Sequence, residues 1–343
     1  LTNLAWDGRR TAVGVVGANG FLGGELVRLL AQHPYVHLVA VVAGSTAGRA
    51  LSEVRPGLRG AGPLVLASLD VDALASSCEV VFLAMPHGES GPVARSLLAR
   101  GARVIDLGSD LRLRDAEAER RWYGREPSAN DVAQAAWYGL PELTGPPPAG
   151  WTAIANPGCF ATALALALAP ISDLAPEVTV FGVTGSSGSG VAPSAGVHHS
   201  LRVSSFTAYK TLKHQHMAEL GQLLADRGGP VPRVRFLPHS LPAVRGIHLT
   251  ITLPASPEAV FERLMGAYEV AAMVDVVRAE VPMGAVVGSN RALLGVGGDT
   301  EGAVVFAAID NLLKGGSGQA VQNLNLGMGW PETAGLPFVG MWP

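Results

Sequence analysis

Along the first third of the chain, short apolar β-rich runs alternate with stretches of helical spacing. Residues 11–20, TAVGVVGANG, form an apolar run that ends in glycines. Residues 21–34, FLGGELVRLLAQHP, place Leu22, Leu26, Leu29 and Leu30 at helical spacing and stop at Pro34. Three further apolar runs follow, VHLVAVVAG, EVVFLAMPHG and ARVIDLGSD. Such runs, separated by helices, predict βαβ units and a parallel sheet. At residues 144–151, TGPPPAGW, helix is excluded and a domain junction is expected. Beyond it the pattern changes. VTVFGVTG, VRFLPHS and GIHLTITLPAS alternate like strands, with helical spacing near 163–169, 214–226 and 257–270. The tail 310–330 has a glycine-rich start and then helical spacing at Ala320, Val321 and Leu324. The fold class expected is α/β, a parallel-sheet domain over 11–155 followed by an α+β domain over 156–309.

Composition narrows the function classes. A chain of 343 residues allows two domains, and 48% hydrophobic against 15% charged residues supplies ample core. A net charge of −3 without any Lys/Arg block argues against nucleic acid or an anionic membrane surface as partner. The first twenty residues carry no apolar segment with a cleavage site. No charge-free run reaches the roughly 18–20 residues of a membrane helix. A soluble, cytoplasmic chain is expected, with residues 1–10 as an untidy tail. Two cysteines do not make a disulfide scaffold. Cys78, at the entrance to an apolar strand, reads as a small buried residue.

The glycines after the first run carry chemistry. Gly17, Gly20 and Gly23, with Ala18, Asn19, Phe21 and Leu22 between them, give G-x-x-G-x-x-G; the dinucleotide fingerprint is G-x-G-x-x-G. The mechanics survive the displaced middle glycine. One glycine makes a tight turn, another clears space for a pyrophosphate, and the helix starting near Phe21 offers N–H groups and a positive dipole end. A turn needed only for helix–sheet packing is the competing explanation. The second run ends without an acid between Val39 and Ser52 and offers Ser45, Thr46 and Arg49 instead. Hydroxyls with a guanidinium suit a ribose 2′-phosphate, which favours NADP(H) over NAD.

ANPGCFATA, 155–163, seats Cys159 where a turn becomes a helix. A helix N-terminus favours a thiolate, and thiolates attack acyl carbons. Beside a hydride donor, that chemistry is acyl reduction to an aldehyde or its reverse. A structural cysteine at a helix cap would explain the same stretch without chemistry. A base could come from His198, His199, His214 or His216. On a helix His214 and His216 would point about 200° apart, so at most one is expected to face the thiol. Metal-ligand spacing is missing, and no metal is expected. Arg202, Lys210 and Lys213 add positive charge that an acidic substrate could use. In the small-residue loop 184–194, Ser186, Ser187 and Ser189 with their backbone N–H groups could hold a phosphate or carboxylate. Arg245, ahead of a strand, could clamp a carboxylate or pair with an acid.

Taken in order, VGANGFLGGELVRLL, FLAMPHG, VIDLGSDLRL, WYGLPEL, NPGCFATA, AYKTLKHQH, RGI and AIDNLLKGGSGQAVQNLN resemble the N-acetyl-γ-glutamyl-phosphate reductases of the aspartate-semialdehyde dehydrogenase-like superfamily. The resemblance runs from about residue 12 to the C-terminus. It implies a Rossmann-type NADP-binding domain completed by the helix in 310–330, and a catalytic and dimerisation domain. It implies Cys159 as nucleophile, His214 as acid/base group, His216 in support, and Arg245 on the substrate, where the loop reading also puts Ser186 and Ser187. Gly188 and Asn311 are further candidates at the cofactor. The expected partner is a small-molecule acyl phosphate, and the expected assembly a homodimer or homotetramer. Phe160 stands where many members have Tyr. The pair His198-His199 is similar to the lysine-biosynthesis branch, whose aminoadipyl phosphate rides on a carrier protein, whereas the NPGC motif leans to the arginine branch. A dinucleotide-binding regulator without activity and an aspartate-semialdehyde dehydrogenase are the rival functions.

Overall fold

Two sheets organise the chain. The computed structural model describes residues 9–341, so the first eight residues of the expected tail lie outside the described residues. The first sheet is built from β1 (Thr11–Val16), β2 (Val36–Val42), β3 (Val80–Leu83), β4 (Arg103–Asp106), β5 (Trp137–Tyr138) and β6 (Ala153–Ala155). Its order is β2-β1-β3-β4-β6-β5, with every pairing parallel. Every residue of β3 is buried, as a strand covered on both faces requires. Gly14 interrupts β1, where the register with β2 shifts. A Cβ there would stand 2.9 Å from Cys78 Sγ, so the sulfur takes the room a side chain would fill. Burial raises the Cys78 thiol above its ordinary range, which suits packing and not reactivity.

The second sheet comprises β7 (Glu177–Thr184), β8 (Thr207–Ala208), β9 (Arg233–Ser240), β10 (Ile247–Leu253), β11 (Val274–Val277), β12 (Ala292–Gly298) and β13 (Ala303–Ile309). Its order is β11-β12-β13-β10-β7-β9-β8, mixed in direction. One face buries Val178, Val180, Leu249, Ile251, Val305 and Phe236. The helix Cys159–Leu168 packs there, apolar all round and buried after its first residue. Gly182 makes that approach possible, because a Cβ would fall 2.7 Å from the Phe236 ring and 3.1 Å from that of Phe160.

The chain divides into one unit of residues up to Asn156 with Ser317–Leu336, and a second of Pro157–Gly316 with the residues from Pro337. Two expectations are corrected. The 144–151 stretch closes the short helix Pro141–Thr144 and continues as a loop inside the first unit, leading into β6. Residues 310–316 belong to the second unit, because the carboxylate of Asp310 accepts from Gly288 N and the amide of Asn311 bonds Gly246 N and Ser187 Oγ. The helix Gly318–Gly327 does sit in the first unit. Its apolar pattern is weak because buried amides hold it: Asn323 Nδ2 donates to Gly139 O and Asn156 Oδ1, and Asn325 Oδ1 lies 2.9 Å from His33 Nε2. No helix among the described residues is long and apolar enough to cross a membrane.

Candidate active site

In the second unit, Cys159 is the first residue of its helix, half-buried, with Gly158 as N-cap in extended conformation. The first turn has no side-chain cap and no acidic residue. Two glycines crowd this seat. A Cβ on Gly315 would lie 2.9 Å from Cys159 Cβ, and one on Gly158 would lie 2.3 Å from His216 Nε2. The imidazole of His216 therefore rests on the backbone immediately ahead of the thiol. Glu219 completes the group: its carboxylate accepts from Gly158 N at 3.0 Å and stands 3.8 Å from His216 Nε2. Glu219 is buried, and no motif in the sequence singles it out. Its spacing of three from His216 on an amphipathic helix was the available signal.

The two histidines meet, against the expectation that a helix would separate them. The helix starts at His216, so His214 lies in the preceding turn. That turn holds Lys210 and Leu212 at φ of 46° and 58°, a left-handed conformation that non-glycine residues seldom adopt. The ring centroids of His214 and His216 come within 4.6 Å, and His214 Nδ1 accepts from His216 N at 3.3 Å. Phe160, Tyr209 and Phe236 surround the His214 ring edge-on. Burial, and then the neighbouring His216 and Lys210, depress its pKa to about 2, so it is neutral at ordinary pH. Tyr209, also missed by sequence reasoning, is raised by burial and by the charge of Cys159.

Ser186 and Ser187 lie in a short turn after β7. Their backbone N–H groups do not point at open space: Ser186 N donates to Ala243 O and Ser187 N to Val244 O. Ser186 Oγ donates to Ala243 O, and Ser187 Oγ accepts from Asn311 Nδ2 at 3.0 Å. The N–H groups of Ser186 and Ser187 are thus engaged by the 243–246 strand entry. Asn311 is engaged in the same tie, since its Oδ1 accepts from Gly246 N at 2.8 Å. Gly188 stands beside it, a Cβ there falling 4.0 Å from Asn311 Nδ2. Arg245 pairs with Asp310 at 3.4 Å, the acid-pairing role, and keeps its side chain partly exposed. Arg202 bonds Ser240 and the carbonyl of Leu241, and Lys210 bonds Gln215, so both cations have local partners.

In the first unit the glycine loop fits a dinucleotide's pyrophosphate. Gly17 has φ of 85°, and a Cβ on it would meet Ala84 O at 2.2 Å. A Cβ on Gly23 would meet Gly17 O at 2.0 Å, so the helix start packs directly on the loop. The helix Phe21–Leu30 begins without a side-chain cap or an acid in its first turn, which leaves its dipole end uncompensated. Ala18 is buried, and Asn19 Nδ2 donates to Thr46 Oγ1 at 3.3 Å. Phe21 is partly exposed and Leu22 O accepts from Ser317 Oγ. Ser45 and Arg49 are exposed after β2. The first acid beyond them, Glu53, faces Arg49 at 4.0 Å.

Residues 12–147 match the family model described as semialdehyde dehydrogenase, NAD binding domain, and residues 159–311 match semialdehyde dehydrogenase, dimerisation domain. The chain is similar to an N-acetyl-gamma-glutamyl-phosphate reductase of Crocosphaera subtropica, 37% identical, covering 98% of this chain and 99% of that one. A protein of the same description from Desulforudis audaxviator is 40% identical, covering 96% and 99%. Among solved structures, aspartate semialdehyde dehydrogenase II of Vibrio cholerae superposes with a TM-score of 0.69 at 16% identity, covering 93% of this chain and 98% of that one. Aspartate semialdehyde dehydrogenase of Candida albicans, solved with NADP, gives 0.65 at 16%, covering 92% and 98%. At that identity the likeness is one of fold.

Proposed function

The chain belongs to the N-acetyl-gamma-glutamyl-phosphate reductase family, and on that premise we propose that it reduces N-acetyl-γ-glutamyl phosphate to the γ-semialdehyde for arginine biosynthesis. The observation that carries the reading is the thiol of Cys159 at a helix start, with His216 and Glu219 packed against the residue before it.

The chain's own residues do the following. The Cys159 sulfur attacks the γ-acyl carbon; a C–S bond forms, the C–O bond to phosphate breaks, and phosphate leaves with the electron pair. His216 takes the thiol proton, and the Glu219 carboxylate, 3.8 Å from Nε2, stabilises the imidazolium so formed. Glu219 also fixes the Gly158 peptide, and with it the start of the nucleophile helix. His214, neutral and enclosed by rings, positions His216 by accepting its backbone N–H. This reverses the roles that the resemblance implies for the two histidines. When bound, NADPH supplies the hydride that brings the thioester to the aldehyde level. The Cys159 sulfur then leaves as thiolate as the carbonyl reforms, and the helix dipole stabilises it.

Gly17, Gly20 and Gly23 with Phe21 and Leu22 would hold the dinucleotide phosphates, and Ser45, Thr46 and Arg49 the 2′-phosphate. Arg245 would contact the substrate carboxylate while Asp310 orients it. The assembly is a homodimer, in keeping with the dimerisation-domain description of residues 159–311.

The test is the reverse reaction: N-acetyl-glutamate semialdehyde, phosphate and NADP⁺, followed by the rise of reduced cofactor. Turnover that needs phosphate and disappears in Cys159→Ser supports the reading. Turnover only with carrier-bound aminoadipate semialdehyde moves the protein to the lysine branch, and turnover with neither refutes the assignment.

A further inference from the structure

The middle of the glycine loop is tied to the segment that follows β2 through one residue. The carbonyl oxygen of Asn19 accepts two hydrogen bonds from the Arg55 guanidinium, from Nε at 3.0 Å and from Nη2. The amide of the same Asn19 donates to Thr46 Oγ1. On the other side of the peptide plane, Gly20 N donates to Gly17 O at 3.0 Å. The 19–20 peptide is thereby held at both of its polar ends. A carbonyl in a phosphate-binding loop is a hazard, since its partial negative charge repels the anion if the peptide turns over. Arg55 lies 36 residues away in sequence, half-buried, just before the Pro56–Ala61 turn.

We infer that Arg55 is a positioning residue of the dinucleotide site, whose two-pronged hold on the Asn19 carbonyl keeps the glycine loop's peptide planes set for phosphate. The inference rests on the dinucleotide reading of that loop. It differs from a role in 2′-phosphate recognition, because the bonded atom belongs to the pyrophosphate loop. A dinucleotide without the 2′-phosphate needs that loop equally. It also differs from a charge effect. Lysine keeps the charge and loses the planar fork that puts two donors on one oxygen.

The experiment is a fluorescence titration of the full-length protein with NADPH and, separately, NADH, for wild type, Arg55→Lys and Arg55→Ala, alongside thermal melting and the KM for the aldehyde. The expected result is a Kd raised about tenfold for both dinucleotides, in Lys and Ala variants alike, with the aldehyde KM unchanged. A loss confined to NADPH makes Arg55 a direct 2′-phosphate ligand and overturns the inference. A fall in melting temperature with Kd unchanged reduces it to a structural contact and overturns it equally. Full binding in Arg55→Lys alone assigns the effect to charge and rejects the fork. Wild type that binds neither dinucleotide refutes the cofactor reading itself, a result distinct from any of these.

Discussion

The Glu219 carboxylate accepts a hydrogen bond from the amide of Gly158, 61 residues earlier, at 3.0 Å, while standing 3.8 Å from His216 Nε2. One buried acid thus serves both the peptide that precedes the nucleophile and the imidazole beside it. Glu219→Gln keeps an acceptor for Gly158 and removes the charge. Expected is a kcat lower by roughly 10–10²-fold with the aldehyde KM little changed. Glu219→Ala should cost more and should also lower the melting temperature, because a buried N–H is left unpaired. Steady-state kinetics with parallel melting curves check both. Equal kcat in wild type and Gln variant would remove Glu219 from the proton path.

Gly315→Ala tests the crowding at the thiol. Its Cβ would stand 2.9 Å from Cys159 Cβ and 3.2 Å from Cys159 Cα, and both neighbours are fixed by helix packing. Overpacking of this kind costs about 1–3 kcal/mol of stability. Turnover should fall further than stability does, because the sulfur is displaced. The rate of Cys159 alkylation by iodoacetamide reports that displacement without any substrate. An unchanged alkylation rate and full turnover would mean that the seat yields freely.

The His214 pKa, depressed to about 2 by burial, has a signed consequence. The unfolded chain takes up a proton near pH 6.5 and the folded chain does not. Stability from this group is complete above pH 6.5 and declines as pH falls from there toward 2. Replacing His214 by Phe, which suits the surrounding rings, should flatten the loss of melting temperature between pH 7 and pH 5, though it lowers the starting value. It should leave the acid limb of kcat/KM in place, since a group neutral to pH 2 does not titrate there. Loss of that limb in His214→Phe, with the limb retained in His216→Gln, would return the proton to His214.

Glu119 carries the opposite sign. Burial raises its pKa to about 7, and Asp110 adds to the rise, while Arg125 at 3.1 Å opposes it. Arg125 is shared: it also bonds Asp110, which accepts further from Gly88 N, Gly91 N and Ser128 Oγ. Between about pH 4.5 and pH 7 the folded chain holds a proton that the unfolded chain has lost, so stability from this group falls as pH rises through that window. Glu119→Gln, the uncharged isostere, should weaken this decline by one proton's worth and raise the melting temperature at pH 8. Denaturant titrations at pH 5 and pH 8 measure the difference. Identical pH slopes in the two proteins would contradict it.

Local pattern carried the parts of the molecule that local physics decides. The first strand, its glycine turn and the following helix were legible because period, turn chemistry and helix entry all lie within Thr11–Leu30. Cys159 was legible for the same reason. What escaped is made by residues that meet only in three dimensions. Glu219 reaches Gly158, Gly315 abuts Cys159, and Arg55 holds Asn19, each across dozens of residues or more. The separation expected of His214 and His216 failed on a boundary: two residues of helix onset decide whether the rings diverge or meet edge to face. The ties of Ser186 N and Ser187 N to a strand entry some 57 residues on are likewise announced by no local pattern.

The first unit is closed by residues 317–336, although its other residues end at Asn156. On the ribosome, those early strands emerge long before the helix whose Asn323 bonds the carbonyl of Gly139 and the amide of Asn156. At about 5–20 residues per second, translation of the intervening stretch takes on the order of ten seconds or more. For that interval the nascent dinucleotide-binding half lacks a wall of its own core. Residues 157–316 of the second unit all emerge in that interval, so the half begun earliest waits for nearly the whole chain to be made.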